Sequence, residues 1–264
     1  MTGKNSWSDA DVARGERLAR KLYSELGLRD PLEHPIEAVA WRRGAKVIYE
    51  PLDGAQGRLV RLGKESFLTV DSRIVYPARQ RFVIAHELGH HELHPSVFQL
   101  DVCDESKINE IYDQATEREA NAFAAEFLMP AHLWKKHVDV KVPSLDVISA
   151  LAEQYRVSFT ASAIRFVKLS EERCAVAFVK DRRVEWCASS ADFGYRIERG
   201  HALDTFALAH DYWTKGSVAA APDEVPARTW LGPRAGSLDL QEHSRPIPSL
   251  RAVLSLLWIK PDAE

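Results

Sequence analysis

The sequence predicts an α+β chain: a first domain of helices around a small sheet (residues 1–140), a helix-turn-helix-like helical segment (141–170) and a C-terminal α/β domain (171–264). Three observations carry this division. Apolar residues recur at helical spacing near the N-terminus and on both sides of residue 100. Three short β-branched runs separated by glycine-containing turns lie between residues 45 and 71. After Glu172 the texture changes again, to hairpin-like sequence.

The elements follow in order. Val12, Leu18, Leu22 and Leu26 give a helix from about Ser8 to Leu26, stopped by Gly27. Pro35 to Arg43 fits a short helix with proline in its first turn and Gly44 after its end. "AKVIYE", "GRLVRL" and "SFLTVD" read as a small meander of strands. "PARQRFVIAHELGHHELH" is helical and bounded by Pro95; "ATEREANAFAAEFLMP" is a further helix closed by Pro130. Residues 144–169 read as two helices joined at Val157-Ser158, with Ser144 and Ser158 as N-caps. "CAVAFVKDRRVEWCA" is a hairpin turning at Asp181-Arg182, "HALDTFALAHDYW" is helical, and "LRAVLSLLWIK" is a buried strand or helix.

Composition excludes several classes. The 264 residues are 45% apolar, enough for a real core, and a net charge of −3 argues against a general polyanion binder. No apolar run approaches the roughly 20 residues of a membrane span, and the N-terminus has no signal-type apolar stretch, so a cytoplasmic protein is expected. Three scattered cysteines, Cys103, Cys174 and Cys187, are no disulfide framework.

The chemistry concentrates in "AHELGHHELHP", residues 85–95. His86-Glu87-Leu88-Gly89-His90 matches H-E-x-x-H. Side chains at i and i+4 leave a helix on one face, so His86 and His90 can share one cation, and zinc suits imidazole nitrogen. Glu87, next to the first ligand, is the candidate acid/base acting on water. His94 continues the series but lies about 12 Å along the axis from His86, too far to share the ion. His91, Glu92 and His94 are therefore read as bystanders. A third ligand fits better on the next helix. There Glu117, Ala120, Asn121 and Ala124 share a face on which the alanines permit close approach, with Asn121 placed to support a ligand from behind. Glu117 is preferred to Glu119, which belongs to another face with Phe123 and Glu126. Two histidines and a glutamate leave one position open for water, as a catalytic zinc requires.

"RQRFVIAHELGHHELH" followed by "EREANAFAAEFLMP" resembles the ImmA/IrrE family of bacterial zinc metallopeptidases. The preceding strands and "LAEQYRVSFTASAIRF" fit as well, so the resemblance covers roughly residues 10–170. It implies a gluzincin-like core that cuts an XRE-type helix-turn-helix repressor and so derepresses stress, DNA-damage, phage or defence genes. It also implies Zn2+ held by His86, His90 and Glu117, with Glu87 as acid/base. No repressor domain precedes the peptidase region, so the expected substrate is a separate protein.

Cys103 falls between His90 and Glu117; as a thiolate it could fill the open metal position and hold the enzyme latent. The C-terminal region carries no catalytic motif. Its strand-helix-strand texture and tryptophans (Trp186, Trp213, Trp230, Trp258) suggest a compact α/β module, which the resemblance implies is a GAF-like sensor, and Arg182 and Arg183 beside Trp186 point to single-stranded DNA as an activator. Two alternatives remain: a protein that sequesters the repressor without cutting it, and a DNA-binding regulator with a structural zinc. Glu87 argues against the first, since a structural site does not need it; for the second, Arg165 and Lys168 alone make no basic face.

Overall fold

The computed structural model describes residues 6–63, 65–95, 114–140, 142–232, 235–236 and 238–260. Cys103, expected as a latch, lies outside the described residues. The chain divides into two compact units, Met1–Ala131 with Tyr155–Ser158, and His132–Gln154 with Phe159–Glu264.

In the first unit, α1 (Ser6–Leu26) and α2 (Ile36–Arg42) precede a three-stranded sheet of β1 (Ala45–Glu50), β2 (Gly57–Leu62) and β3 (Glu65–Asp71). Two helices follow, α3 (Pro77–Leu93) and α4 (Gln114–Leu128). The sheet is no meander. Its order is β1-β3-β2, with β1 parallel and β2 antiparallel to β3. β3 takes the centre as the most deeply buried of the three: Leu68 and Val70 are fully buried, while β1 and β2 are partly exposed along most of their length. β2 is thereby an edge strand. α1 buries a stripe of Gly15, Ala19, Leu22 and Tyr23 rather than Val12, which is 38% exposed. The stripe packs on α4 so closely that a Cβ on Gly15 would lie 2.2 Å from the carbonyl oxygen of Glu119. Tyr23 closes the far end by donating its hydroxyl to the Phe127 carbonyl at 2.8 Å.

The second unit holds α5 from His132 onward (the helix spans Ala131–Val138), α6 (Leu145–Gln154) and α7 (Phe159–Leu169), then β4 (Cys174–Lys180) and β5 (Arg183–Ser189). It continues through the short helix α8 (Asp211–Thr214), β6 (Asp223–Pro226), the short helix α9 (Arg228–Leu231), β7 (Asp239–Ile247) and β8 (Ala252–Ile259). All five strands form one antiparallel sheet, β5-β4-β8-β7-β6. The region is thus a β-sheet domain rather than an alternating α/β one. Asp181 and Arg182 both take positive φ (48° and 60°), the backbone of a type I′ hairpin turn. β8, ambiguous in sequence, is the buried central strand.

The expected helix over 201–213 is mostly absent: only a 3₁₀ turn at Leu208–His210 and α8 form. Asp204 captures the Phe206 amide, and the Leu208 and Ala209 amides donate to the Glu242 carboxylate, so local helix loses its donors. α6 and α7 group with this sheet instead of standing apart. Ser144 caps α6 through the Val147 amide (3.3 Å) and Ser162 donates to Ile148 O (2.7 Å), tying the two helices together. The Leu145 amide donates to His243 Nδ1, while Ala163, Phe166 and Val167 are fully buried. Arg165 is buried too.

Candidate metal centre

α3 starts at Pro77, where a missing amide costs nothing, and places His86 and His90 one turn apart. Gly89 then lets α4 come near: a Cβ there would meet the Phe123 ring at 3.0 Å and Ala120 Cα at 3.2 Å. Small residues on both helices thus bring Glu117 to the histidines. His86 Nε2 and His90 Nε2 lie 3.0 Å apart and face Glu117 oxygens at 3.3 and 3.1 Å. One nitrogen or oxygen of each residue falls within 4.8 Å of the others, so the group could hold a metal ion. Convergence of two imidazole nitrogens on one carboxylate is the donor set such an ion demands. Asn121, one turn beyond Glu117, receives His86 Nδ1 on its Oδ1 at 3.1 Å.

Glu87 is 4% exposed, and its Oε2 has no hydrogen-bond partner among the described residues. Burial pushes its carboxyl up to about 7; the His86 charge opposes this and Glu117 adds to it. Burial would also raise Glu117, but its bonds to the two imidazoles and their charge outweigh that and hold it down at about 2. Burial lowers His90 despite its bond to Glu117, whereas at His86 the two carboxylates and Asn121 overcome the same desolvation and raise it. Glu87, His86 and Glu117 open on a cleft of about 770 Å³ bordered by Gly57, Arg58, Arg79, Phe82 and Asn121. Arg79 lies over the Phe82 ring, 5.5 Å from its centroid.

The other residues of the crowded stretch separate. His91 donates to the Arg43 carbonyl and Glu92 grips the Arg43 guanidinium at 2.7 and 2.8 Å, fastening α3 to the end of α2. His94 is no bystander. It is 5% exposed, its Nδ1 stands 3.2 Å from His90 Nδ1, and its Nε2 meets Glu119 at 2.9 Å. Glu119 in turn receives Arg14 at 2.7 Å. Sequence reasoning missed this because it asked only whether His94 could reach the ion. The i+4 spacing from His90 was the available signal; Glu119 and Arg14 had none, since only the packing of α1 on α4 turns that face inward.

The helix pair thus presents two histidines and a glutamate that could hold a metal, beside a buried second glutamate. Residues 40–167 match the sequence model of the Peptidase_M78 family, described as an IrrE N-terminal-like domain, as the resemblance in sequence anticipated. The fold is shared with a solved structure, a Mycobacterium tuberculosis transcriptional regulator. It is 17% identical, the match covers 93% of this chain and 87% of that one, and the TM-score is 0.55. No curated protein matches the sequence. No helix among the described residues is long and apolar enough to cross a membrane.

Proposed function

We propose that the protein is a zinc-dependent endopeptidase that cleaves a separate XRE-type helix-turn-helix repressor in the cytoplasm and thereby derepresses stress, DNA-damage, phage or defence genes. The observation that carries this reading is the meeting of His86, His90 and Glu117 beside the unpartnered, buried Glu87 Oε2 at the wall of an open cleft. Zinc on that donor set would supply Lewis-acid polarisation of a peptide carbonyl and acidify water toward a pKa of about 7. Glu87 takes the proton from the attacking water on its carboxylate and returns it to the leaving amine. A carboxyl raised by burial suits that exchange near neutrality. Asn121 holds the His86 ring with Nε2 aimed at Glu117. In this reading the substrate lies as an extended peptide in the cleft, which Gly57 and Arg58 of the edge strand β2 border. The likeness to a transcriptional regulator supports a regulatory role.

The C-terminal unit, in this reading, is a GAF-like sensor domain that answers to a signal such as single-stranded DNA, and Cys103 holds the enzyme latent by occupying the open metal position. Arg182 and Arg183 are exposed near the hairpin turn; Trp186 stacks on Phe178 with centroids 5.3 Å apart and remains half-buried.

The deciding experiment incubates the repressor encoded next to this protein with zinc-loaded wild type and with Glu87→Gln. A new fragment with wild type alone supports the peptidase. A stable complex with both forms and no cut supports sequestration instead, and DNA binding without any protein partner supports the regulator with structural zinc. For the latch, Cys103→Ala raises basal cleavage at unchanged zinc content.

A further inference from the structure

We propose that His94 and Glu119 are positioning residues for His90, with Arg14 anchoring the line. This rests on the reading of His86, His90 and Glu117 as metal ligands. The line crosses three helices. His90 Nδ1 and His94 Nδ1 are 3.2 Å apart, His94 Nε2 and Glu119 Oε2 are 2.9 Å apart, and Arg14 donates to the same Glu119 oxygen at 2.7 Å while also donating to the Leu93 carbonyl at 2.9 Å. His94 and Glu119 are both buried.

Only one proton arrangement satisfies this line together with a cation at His90. His90 Nε2 faces His86 and Glu117, so its lone pair belongs there and its proton sits on Nδ1. That proton is donated to His94 Nδ1, which must then be unprotonated, so the His94 proton sits on Nε2 and is donated to Glu119. Arg14 can only donate, which fixes Glu119 as the acceptor at the end. Each bond therefore has one polarity, and the charge of Glu119 draws on the His94 proton, makes His94 Nδ1 a better acceptor, and leaves His90 Nε2 richer in electrons. His86 is held differently, by the neutral amide of Asn121. The two histidines thus have unequal support: a dipole behind one and a charged line behind the other. The i, i+4, i+8 spacing of His86, His90 and His94 places the third ring out of the ion's reach and within reach of the second ring.

The test measures zinc affinity of the full chain by competition with a chelating dye, with thermal unfolding of the metal-free forms as the check on folding. Asparagine can offer an acceptor where His94 Nδ1 stands; glutamine reaches instead to the Nε2 position and offers none to His90. His94→Gln, which offers His90 no acceptor, is expected to bind zinc about 100-fold more weakly, and His94→Asn, which keeps the acceptor for His90 but cuts the link to Glu119, about tenfold more weakly, like Glu119→Gln. Glu119→Gln keeps the side-chain shape, loses the charge and is expected to weaken zinc about tenfold, and it serves as the measurement should His94→Gln fail to fold. Equal weakening by glutamine and asparagine would reduce His94 to a packing residue and overturn the proposal. So would unchanged affinity in a folded His94→Gln or Glu119→Gln. A wild type that binds no zinc overturns the metal reading beneath it, and that result is separate from the other two.

Discussion

Gly57→Ala should silence the site without emptying it. Gly57 opens the edge strand β2, and a Cβ there would stand 2.5 Å from Val83 Cγ1, 2.6 Å from Glu87 Oε1 and 3.0 Å from Glu87 Cγ. Ordinary carbon contacts are about 3.5–4.0 Å, so the overlap with Val83 is about 1 Å. Val83 is buried on α3, and a β-branched side chain in a helix has essentially one χ1 rotamer, so it cannot swing aside. The strain falls on the Glu87 carboxylate and on the edge strand. Overpacking of this kind costs about 1–3 kcal/mol of stability. A catalytic group displaced by about 1 Å loses about 100-fold in rate. Under the peptidase reading, kcat for repressor cleavage therefore falls about 100-fold. Zinc stoichiometry stays at the wild-type value, because the atoms nearest the new methyl belong to Val83 and Glu87 and not to the three ligands. The assay pairs cleavage rates with metal content on the same preparation. Full activity would show that Glu87 is not confined by Gly57, and loss of zinc along with activity would place the damage in α3 rather than at the carboxylate.

Three further outcomes are expected. Glu242, fully buried, receives the Leu208 and Ala209 amides, Trp230 Nε1 and Ser244 Oγ at 2.7–3.0 Å, so Glu242→Gln sets an amide donor against other donors; thermal or urea unfolding should show a loss of about 1–3 kcal/mol, and an unchanged midpoint would refute it. Zinc in thousandfold excess over its Kd should stabilise the wild type by about 4 kcal/mol over the chelated form; His86→Ala should show no such difference, and an equal response in both would place the metal elsewhere. Burial pushes the thiols of Cys174 and Cys187 up to about 11, so few thiolates exist at pH 8. Alkylation followed by peptide mass spectrometry should find both slow in the folded protein and fast in denaturant; rapid labelling of Cys174, which is buried, or of the half-buried Cys187 in the native form would contradict the raised thiols.

Much of the site was legible because its parts are local. The i+4 spacing of His86 and His90 fixes their common face wherever the helix lies, and the small residues around Glu117 marked a helix built for close approach. The same holds for the Asp181-Arg182 turn, whose φ values are a property of a two-residue hairpin. Elements whose state depends on distant partners were not legible. The helix expected at 201–213 gave way because Glu242, more than thirty residues on, takes its amides. β3 was not expected between β1 and β2, since strand order follows from which strand is most fully buried. His94 and Glu119 looked idle because their use requires α1 to lie against α4.

The sequence by itself determined the chemistry: which atoms can bind a cation, which carboxylate sits beside it, and that both ride on helices, all from periodicity within a few turns. Tertiary structure alone decided what stands behind those atoms. Gly15 and Gly89 draw three helices together, and only that packing converts a histidine, a glutamate and an arginine from distant parts of the chain into a line ending on His90, because hydrogen bonds act over about 3 Å and no spacing in sequence encodes such a distance between separate helices.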